Sequence, residues 1–416
     1  MKDIVNYITS IEDEPRWIVG RGSWVEVPVL LSHFCPSGSR FLGRGSGSFV
    51  PLLSQWVEVP VPSTHFLNGG VGRMQREIKK QMRLLNEKGE LMTRGYATKP
   101  LLEYCREDIR ASKWRIKEWD YYLVTNEDYA VALTVADNGY IGFLSVSLID
   151  FQRRWFKTTS MIKPFTFGKL NLPASSNEGD IEYKDARIEM NFSHEGKKRL
   201  LKCIMKKFYN RKDFHCEFVL SDEPRDSMII AIPFQNKKHA FYYNRKINCM
   251  TADGKAYLGD KVYEFPPDRS FGTFDWGRGV WPYKNTWYWG SASGIINGKK
   301  FGFNIGYGFG DTSMATENML FYDGFAHKLE EVTFHIPKRG KTFAYMDSWT
   351  FSSSDGRFEM NFQPIIDRND STSIGFISSD QHQVFGYFTG RAVLDNGEAI
   401  EVKNLLGFAE RVVNRW

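Results

Sequence analysis

From about Asn86 onward, apolar and polar residues alternate with a period of two, and turn dipeptides recur at short intervals. Successive side chains of a strand point to opposite faces, so this pattern predicts antiparallel strands joined by hairpins. Ile116 to Thr125, Tyr129 to Ala136 and Tyr140 to Phe151 read as a three-strand meander turned at Asn126-Glu127-Asp128 and Asp137-Asn138-Gly139. Phe214, Cys216, Phe218 and Leu220 alternate with His215, Glu217 and Val219, which gives that strand one apolar and one mixed face. Asp253-Gly254, Asn297-Gly298, Asp323-Gly324, Asp355-Gly356 and Asn396-Gly397 each read as a hairpin tip, because Asn or Asp before Gly accepts the positive φ of a tight turn. The basic run from Lys197 to Lys212 alternates too, and predicts a strand with its lysines facing water.

Roughly fifteen to twenty such strands exceed one small barrel, so the expected fold is all-β with two consecutive antiparallel barrels. The Pro266-Pro267 pair marks the expected junction, giving a first barrel over 86–266 and a second over 267–416. Two helices are expected. Met74, Ile78, Met82 and Leu85 recur at helical spacing over 74–85, and the apolar residues of Leu405 to Val413 suit a short C-terminal helix outside the second barrel. Residues 1–73 differ in kind: Lys2 is the only lysine, and WVEVPVLLSHF at Trp24 recurs as WVEVPVPSTHF at Trp56. Two copies are too few for a repeat fold, so this stretch is expected to be a poorly ordered extension, with Met74 an alternative start.

Composition narrows the function classes. The 55 basic residues exceed the 49 acidic ones by only six, spread along 416 residues, which gives no basic stripe for nucleic acid. Five cysteines without a CxxC pair fit reduced thiols and a cytoplasmic location, and no apolar window is long enough for a membrane span. The eight histidines form no metal-ligand spacing, so neither a metal nor a cofactor is implied.

The chemistry concentrates between Phe271 and Asn318, where Trp, Tyr, Phe and Gly are densest. Trp276, Trp281, Trp287 and Trp289 supply flat apolar walls, while Asp275, Arg278, Asn304, Asp311 and Glu317 supply sparse polar groups, the mixture of a ligand cavity. Asp275 is the candidate catalytic acid, since a carboxyl held against indole is desolvated and keeps its proton toward neutral pH. The plain alternative pairs Asp275 with Arg278 to brace a loop. GYGFGD lacks the spacing of a phosphate loop, and Gly290-Ser291-Ala292-Ser293-Gly294 lacks the register of a nucleophile elbow.

DWGRGVW, NTWYWGSASG, FGFNIGYGFGD, KWRIKEWDYY, GKLNLPASSNEGD and LLGFAERVVNRW together resemble the family called domain of unknown function 2804, over about 84–416. That family is similar in turn to tandem lipocalin-like proteins, including carotenoid 1,2-hydratases and AttH-type proteins. The resemblance implies lipocalin-like barrels, with Asp275 and Trp276 as an acid and tryptophan at their junction and Trp287 and Trp289 in the following strand. Gly277-Arg278-Gly279 departs from that pattern. Three functions follow as expectations: binding of a small, largely apolar molecule; hydration, cyclisation or isomerisation of an apolar substrate; and carbohydrate binding or processing, which needs two carboxylates across a groove.

Overall fold

The computed structural model describes residues 75–374 and 377–415. The extension expected over 1–73 and the start at Met74 lie outside them. The described residues are nearly all-β, with two three-residue 3-10 turns, Arg106–Asp108 and Lys113–Arg115, as their helical content.

Thirteen strands form the first sheet. They begin with β1 (Gly95–Ala97), β2 (Ile116–Thr125), β3 (Tyr129–Asp137), β4 (Ile141–Asp150) and β5 (Trp155–Pro164). Next come β6 (Ile181–Lys184), β7 (Ile188–Glu195), β8 (Lys198–Tyr209) and β9 (Lys212–Ser221). The last four are β10 (Met228–Pro233), β11 (Phe241–Leu258), β12 (Lys261–Phe265) and β13 (Phe271–Val280). Their order is β5-β4-β3-β2-β13-β11-β9-β8-β7-β6, with β10 and β12 also paired to β11, and β1 to β10. The second sheet has nine strands: β14 (Lys284–Ile296), β15 (Lys299–Tyr307), β16 (Met319–Tyr322), β17 (Phe325–Lys328), β18 (Val332–His335), β19 (Trp349–Ser353), β20 (Phe358–Ile374), β21 (Ile377–Val393) and β22 (Ala399–Arg415). Its order is β17-β16-β15-β14-β22-β21-β20-β19-β18.

Each sheet curls into a half-barrel around its own core. Leu144, Leu201, Phe218, Phe274 and Trp276 fill the first, and Phe301, Phe303, Trp349, Phe362 and Phe388 the second. A third apolar layer, including Tyr121, Leu123, Trp289, Phe385 and Phe408, packs between the sheets. A bulge in β11 fixes them together, since its register slips between Ile247 and Met250. There Asn248 donates to Ser291 Oγ at 2.7 Å, and the Cys249 amide donates to Ser293 Oγ at 3.0 Å. All described residues therefore belong to one compact unit.

The meander β2–β4, the wet lysine face of β8 and four of the five hairpin tips lie where the pattern placed them. Four expectations need correction. Residues 75–85 are extended rather than helical, with Met82–Arg83 pairing in parallel with Leu102–Glu103. This lets Ile78, Leu84 and Leu85 bury in the first core, and tertiary burial outweighs a local helical pattern. The C-terminal helix is strand β22, sandwiched between β14 and β21. Its run is apolar on both faces because Leu405 and Ala409 enter the second core while Leu406 and Phe408 enter the layer between the sheets. Asp253-Gly254 is no tip. β11 runs straight through it, and a Cβ on Gly254 would lie 2.1 Å from the carbonyl oxygen of Glu217 on the neighbouring strand. The sheets divide at Trp281–Tyr283 rather than 266/267, because the proline pair turns β12 into β13 within one sheet. Among the described residues no helix is long and apolar enough to cross a membrane.

Candidate functional site

A cavity of about 370 Å³ opens between the two sheets. The first sheet contributes Trp119 and Tyr121 from β2, Tyr242 and Lys246 from β11, and Asp275 from β13. The second contributes Trp287 and Trp289 from β14, Arg368 from β20, Gln383 from β21 and Glu410 from β22. Trp281, in the link between the sheets, and Phe309 and Glu317, in the connection from β15 to β16, complete this end. Thr134, Ser145, Thr158 and Ser160 give the far wall a band of hydroxyls.

The aromatic wall interlocks edge to face. Trp281 meets Trp119 at 5.0 Å, Phe309 at 4.8 Å and Trp287 at 5.9 Å between ring centroids. Such contacts hold rings at fixed angles, which makes the wall a preformed surface. Gly277 makes room for it, because a Cβ there would fall 1.9 Å from Cζ2 of Trp119.

Three carboxylates and one lysine face this wall. Lys246 Nζ lies 3.0 Å from Asp275 Oδ1, 4.0 Å from Glu317 Oε2 and 4.2 Å from the centre of the Trp289 ring. Asn244 donates a second hydrogen bond to Asp275 Oδ1 at 2.6 Å. Burial pushes the Glu317 carboxyl above the usual range, Lys246 opposing the rise and Asp275 adding to it. Gly306 leaves space for Glu317, since a Cβ would sit 2.7 Å from Oε1.

Glu410 stands apart from that cluster. Trp287 Nε1 donates to its Oε1 at 2.8 Å and Gln383 Nε2 to its Oε2 at 2.9 Å, and among the described residues it makes no ion pair. It is 7% exposed, and burial raises its pKa above the usual carboxyl value against the pull of Trp287, Arg368 and Gln383. Burial against an apolar cavity is the setting that raises a carboxyl toward the range useful for proton transfer.

The residues singled out from sequence divide into two groups. Asp275, Trp281, Trp287, Trp289 and Glu317 line the cavity. Trp276 and Arg278 do not: a strand turns alternate residues to opposite faces, and both point into the first core. Arg278 pairs there with Asp120 at 2.9 Å, and Asp275 pairs with Lys246 rather than with Arg278. Asn304 stands behind the wall, accepting from Trp289 Nε1 at 2.7 Å and donating to the Glu317 carbonyl at 2.8 Å, so it orients the indole. Asp311 caps a turn by accepting from the Ser313 amide at 3.0 Å. The space beside Gly302 and Gly306 is filled by Cys249 and Glu317, so that face of β15 leaves no room for a ligand. Lys246, Glu410, Arg368, Gln383 and Tyr121 were not among the candidates. For Glu410 a signal existed: on a strand it shares a face with Leu406, Phe408 and Val412, an acid in an apolar row.

Comparison with known proteins places the sequence. The model of the family described as domain of unknown function (DUF2804) matches residues 75–416. The chain belongs to this family. Among solved structures it is similar to an AttH-like protein (NE1406) from Nitrosomonas europaea, with 12% identity, a TM-score of 0.43 and coverage of 74% of this chain and 96% of that one. It is also similar to kievitone hydratase from Nectria haematococca, with 10% identity, a TM-score of 0.42 and coverage of 72% and 88%. No curated protein matches the chain.

Proposed function

We propose that the cavity binds one small, largely apolar molecule and transfers protons to and from it, with Glu410 as proton donor and Asp275 as acceptor. The observation that carries this reading is the buried, hydrogen-bonded and unpaired Glu410 in the wall of an aromatic cavity. A site built only to hold an apolar ligand gains nothing from such an acid, which costs free energy to bury. Apolar walls supply affinity at about 25 cal/mol per Å² buried.

Addition of water to a double bond balances with these groups. Glu410 gives its proton to one carbon, the indoles of Trp287 and Trp289 face the cation formed at its neighbour, water bonds there, and Asp275 takes the surplus proton. Solvent then carries that proton back to Glu410. Isomerisation balances in the same way, with the second proton leaving carbon instead of water. Asp275 and Glu317 converge on one lysine, so an opposed pair for carbohydrate chemistry would have to include Glu410.

Native mass spectrometry of freshly purified protein, followed by incubation of the released molecule with wild type and Glu410→Gln, tests the proposal. Binding should persist in the variant while conversion falls by roughly a hundredfold to ten-thousandfold. Conversion at the wild-type rate by Glu410→Gln would remove the acid, and binding without conversion by wild type would leave a carrier.

A further inference from the structure

The first sheet brings a line of polar residues together on the cavity side. Register pairs Lys246 of β11 with Asp275 of β13, Asp275 with Tyr121 of β2, Tyr121 with Thr134 of β3, Thr134 with Ser145 of β4, and Ser145 with Ser160 of β5. Every one of them lines the cavity. The neighbouring line on the same face, two residues along from Tyr121 to Ser160, reads Trp119, Ala136, Phe143 and Ile162 and is apolar throughout. Alternation within one strand decides only its own faces, so a polar line crossing several strands of an inner face is set by register and by what meets it there.

The two ends of the line differ. Lys246 and Asp275 pair with each other at 3.0 Å, and the Tyr121 hydroxyl is engaged by Gln383. Thr134, Ser145 and Ser160 keep capacity to spare. Ser160 bonds Ser145 at 2.9 Å, which leaves one of their two protons to give, and Thr134 makes no side-chain hydrogen bond among the described residues. The second sheet faces them with Asp370 of β20 and Gln381 of β21, side by side in register. Arg368 Nη1 reaches across to Ser147 Oγ at 2.7 Å, and counting away from Ile366 and Ile149 in the apolar layer, Asp370 and Ser145 come next on the two strands. Asp370 makes no ion pair or hydrogen bond of its side chain among the described residues.

These groups select a partner by charge and by reach. A carboxylate accepts hydrogen bonds and gives none, so a ligand group that meets Asp370 must donate, which excludes a carboxylate, a phosphate, an ether or a ketone there. Serine and threonine hydroxyls donate and accept, so they take a ligand hydroxyl in either sense. Adjacent strands lie about 4.8 Å apart, so the hydroxyls of Thr134, Ser145 and Ser160 span about 10 Å, farther than a single ammonium or amide can serve. A ring bearing several hydroxyls meets the line and Asp370 together.

We propose that the ligand of this cavity joins an apolar ring, seated against Trp287 and Trp289, to a neutral polyhydroxylated head, as in an aryl glycoside, lying along Thr134, Ser145 and Ser160 opposite Asp370. The proposal rests on the cavity reading above and adds the class of the ligand's polar end to it.

Isothermal calorimetry of the full chain with naphthalene, naphthyl glucoside, its fully O-methylated derivative and naphthyloxyethylammonium tests it. The glucoside should bind about tenfold tighter or more than naphthalene, and the methylated derivative, which cannot donate to Asp370, should lose most of that gain. Ser145→Ala and Asp370→Ala should each cut the gain to about threefold or less, while naphthalene affinity stays at the wild-type value and reports that the cavity is intact. A glucoside no tighter than naphthalene, a gain that survives methylation or both substitutions, or tightest binding of the ammonium probe would each overturn the polyhydroxylated head while leaving the apolar cavity standing. Failure of all four probes to bind would overturn the cavity reading together with it.

Discussion

Glu410 lies directly opposite Trp289 in the pairing of β22 with β14, yet it takes its 2.8 Å hydrogen bond from Trp287, one step along the same face. That bond lowers the pKa of Glu410, opposing the larger effect of burial. Trp287→Phe should therefore move the carboxyl titration to still higher pH. Carbon-detected NMR of the Glu carboxyls, with the resonance assigned by its loss in Glu410→Gln, checks this, and a downward move would contradict it.

The same burial has a consequence for stability. Glu317 and Glu410 hold their protons above 4.5 in the folded protein, whereas the unfolded chain releases them near that value. As pH rises from there through the folded values, the unfolded state loses protons first, so stability falls across that window. Glu410→Gln should gain stability relative to wild type between about pH 4 and about pH 7. Urea midpoints at both pH values measure the difference, and a gain confined to the acid side would have the wrong sign.

Gly277 and Trp119 share one volume. Gly277→Ala should cost about 1–3 kcal/mol through overpacking, since the added Cβ would meet the indole. Trp119→Leu in the same chain should recover part of that loss. A double-mutant cycle by urea denaturation gives the coupling, and simple additivity would show that the ring can step aside freely.

Arg278 is fully buried and paired with Asp120 in the first core, on the side of β13 away from the cavity. Arg278→Met leaves that carboxylate uncompensated and should cost about 3–5 kcal/mol, much of it restored by adding Asp120→Asn. Naphthalene affinity of the folded fraction should not change. A shift there would tie Arg278 to the site after all.

Much of the architecture was legible because hairpins announce themselves locally. Asn297-Gly298, with φ of 53° and 73°, turns β14 into β15 as its sequence indicated. Misreadings came where tertiary contacts decide. The run through Leu406, Phe408 and Val412 is apolar on both faces because β22 lies inside a sheet between two cores, and such a run resembles a helix in one dimension. That error hid Glu410. The placement of Trp276 and Arg278 was decidable from the alternation alone, since neighbours of Asp275 at odd spacing must face away from it. Nothing local marks Tyr121, which reaches the cavity only because β2 packs its ring edge to face on Trp289 from the other sheet.

The link Trp281–Tyr283 joins two sheets that each hold only part of the constellation: Lys246, Asp275 and Tyr121 on one side, Glu410, Arg368 and Gln383 on the other. Neither half holds all the residues that the proposed proton transfer uses. If the proposed conversion is real, fragments cut at that link should be inert apart and convert substrate only on docking, so turnover would report reassembly.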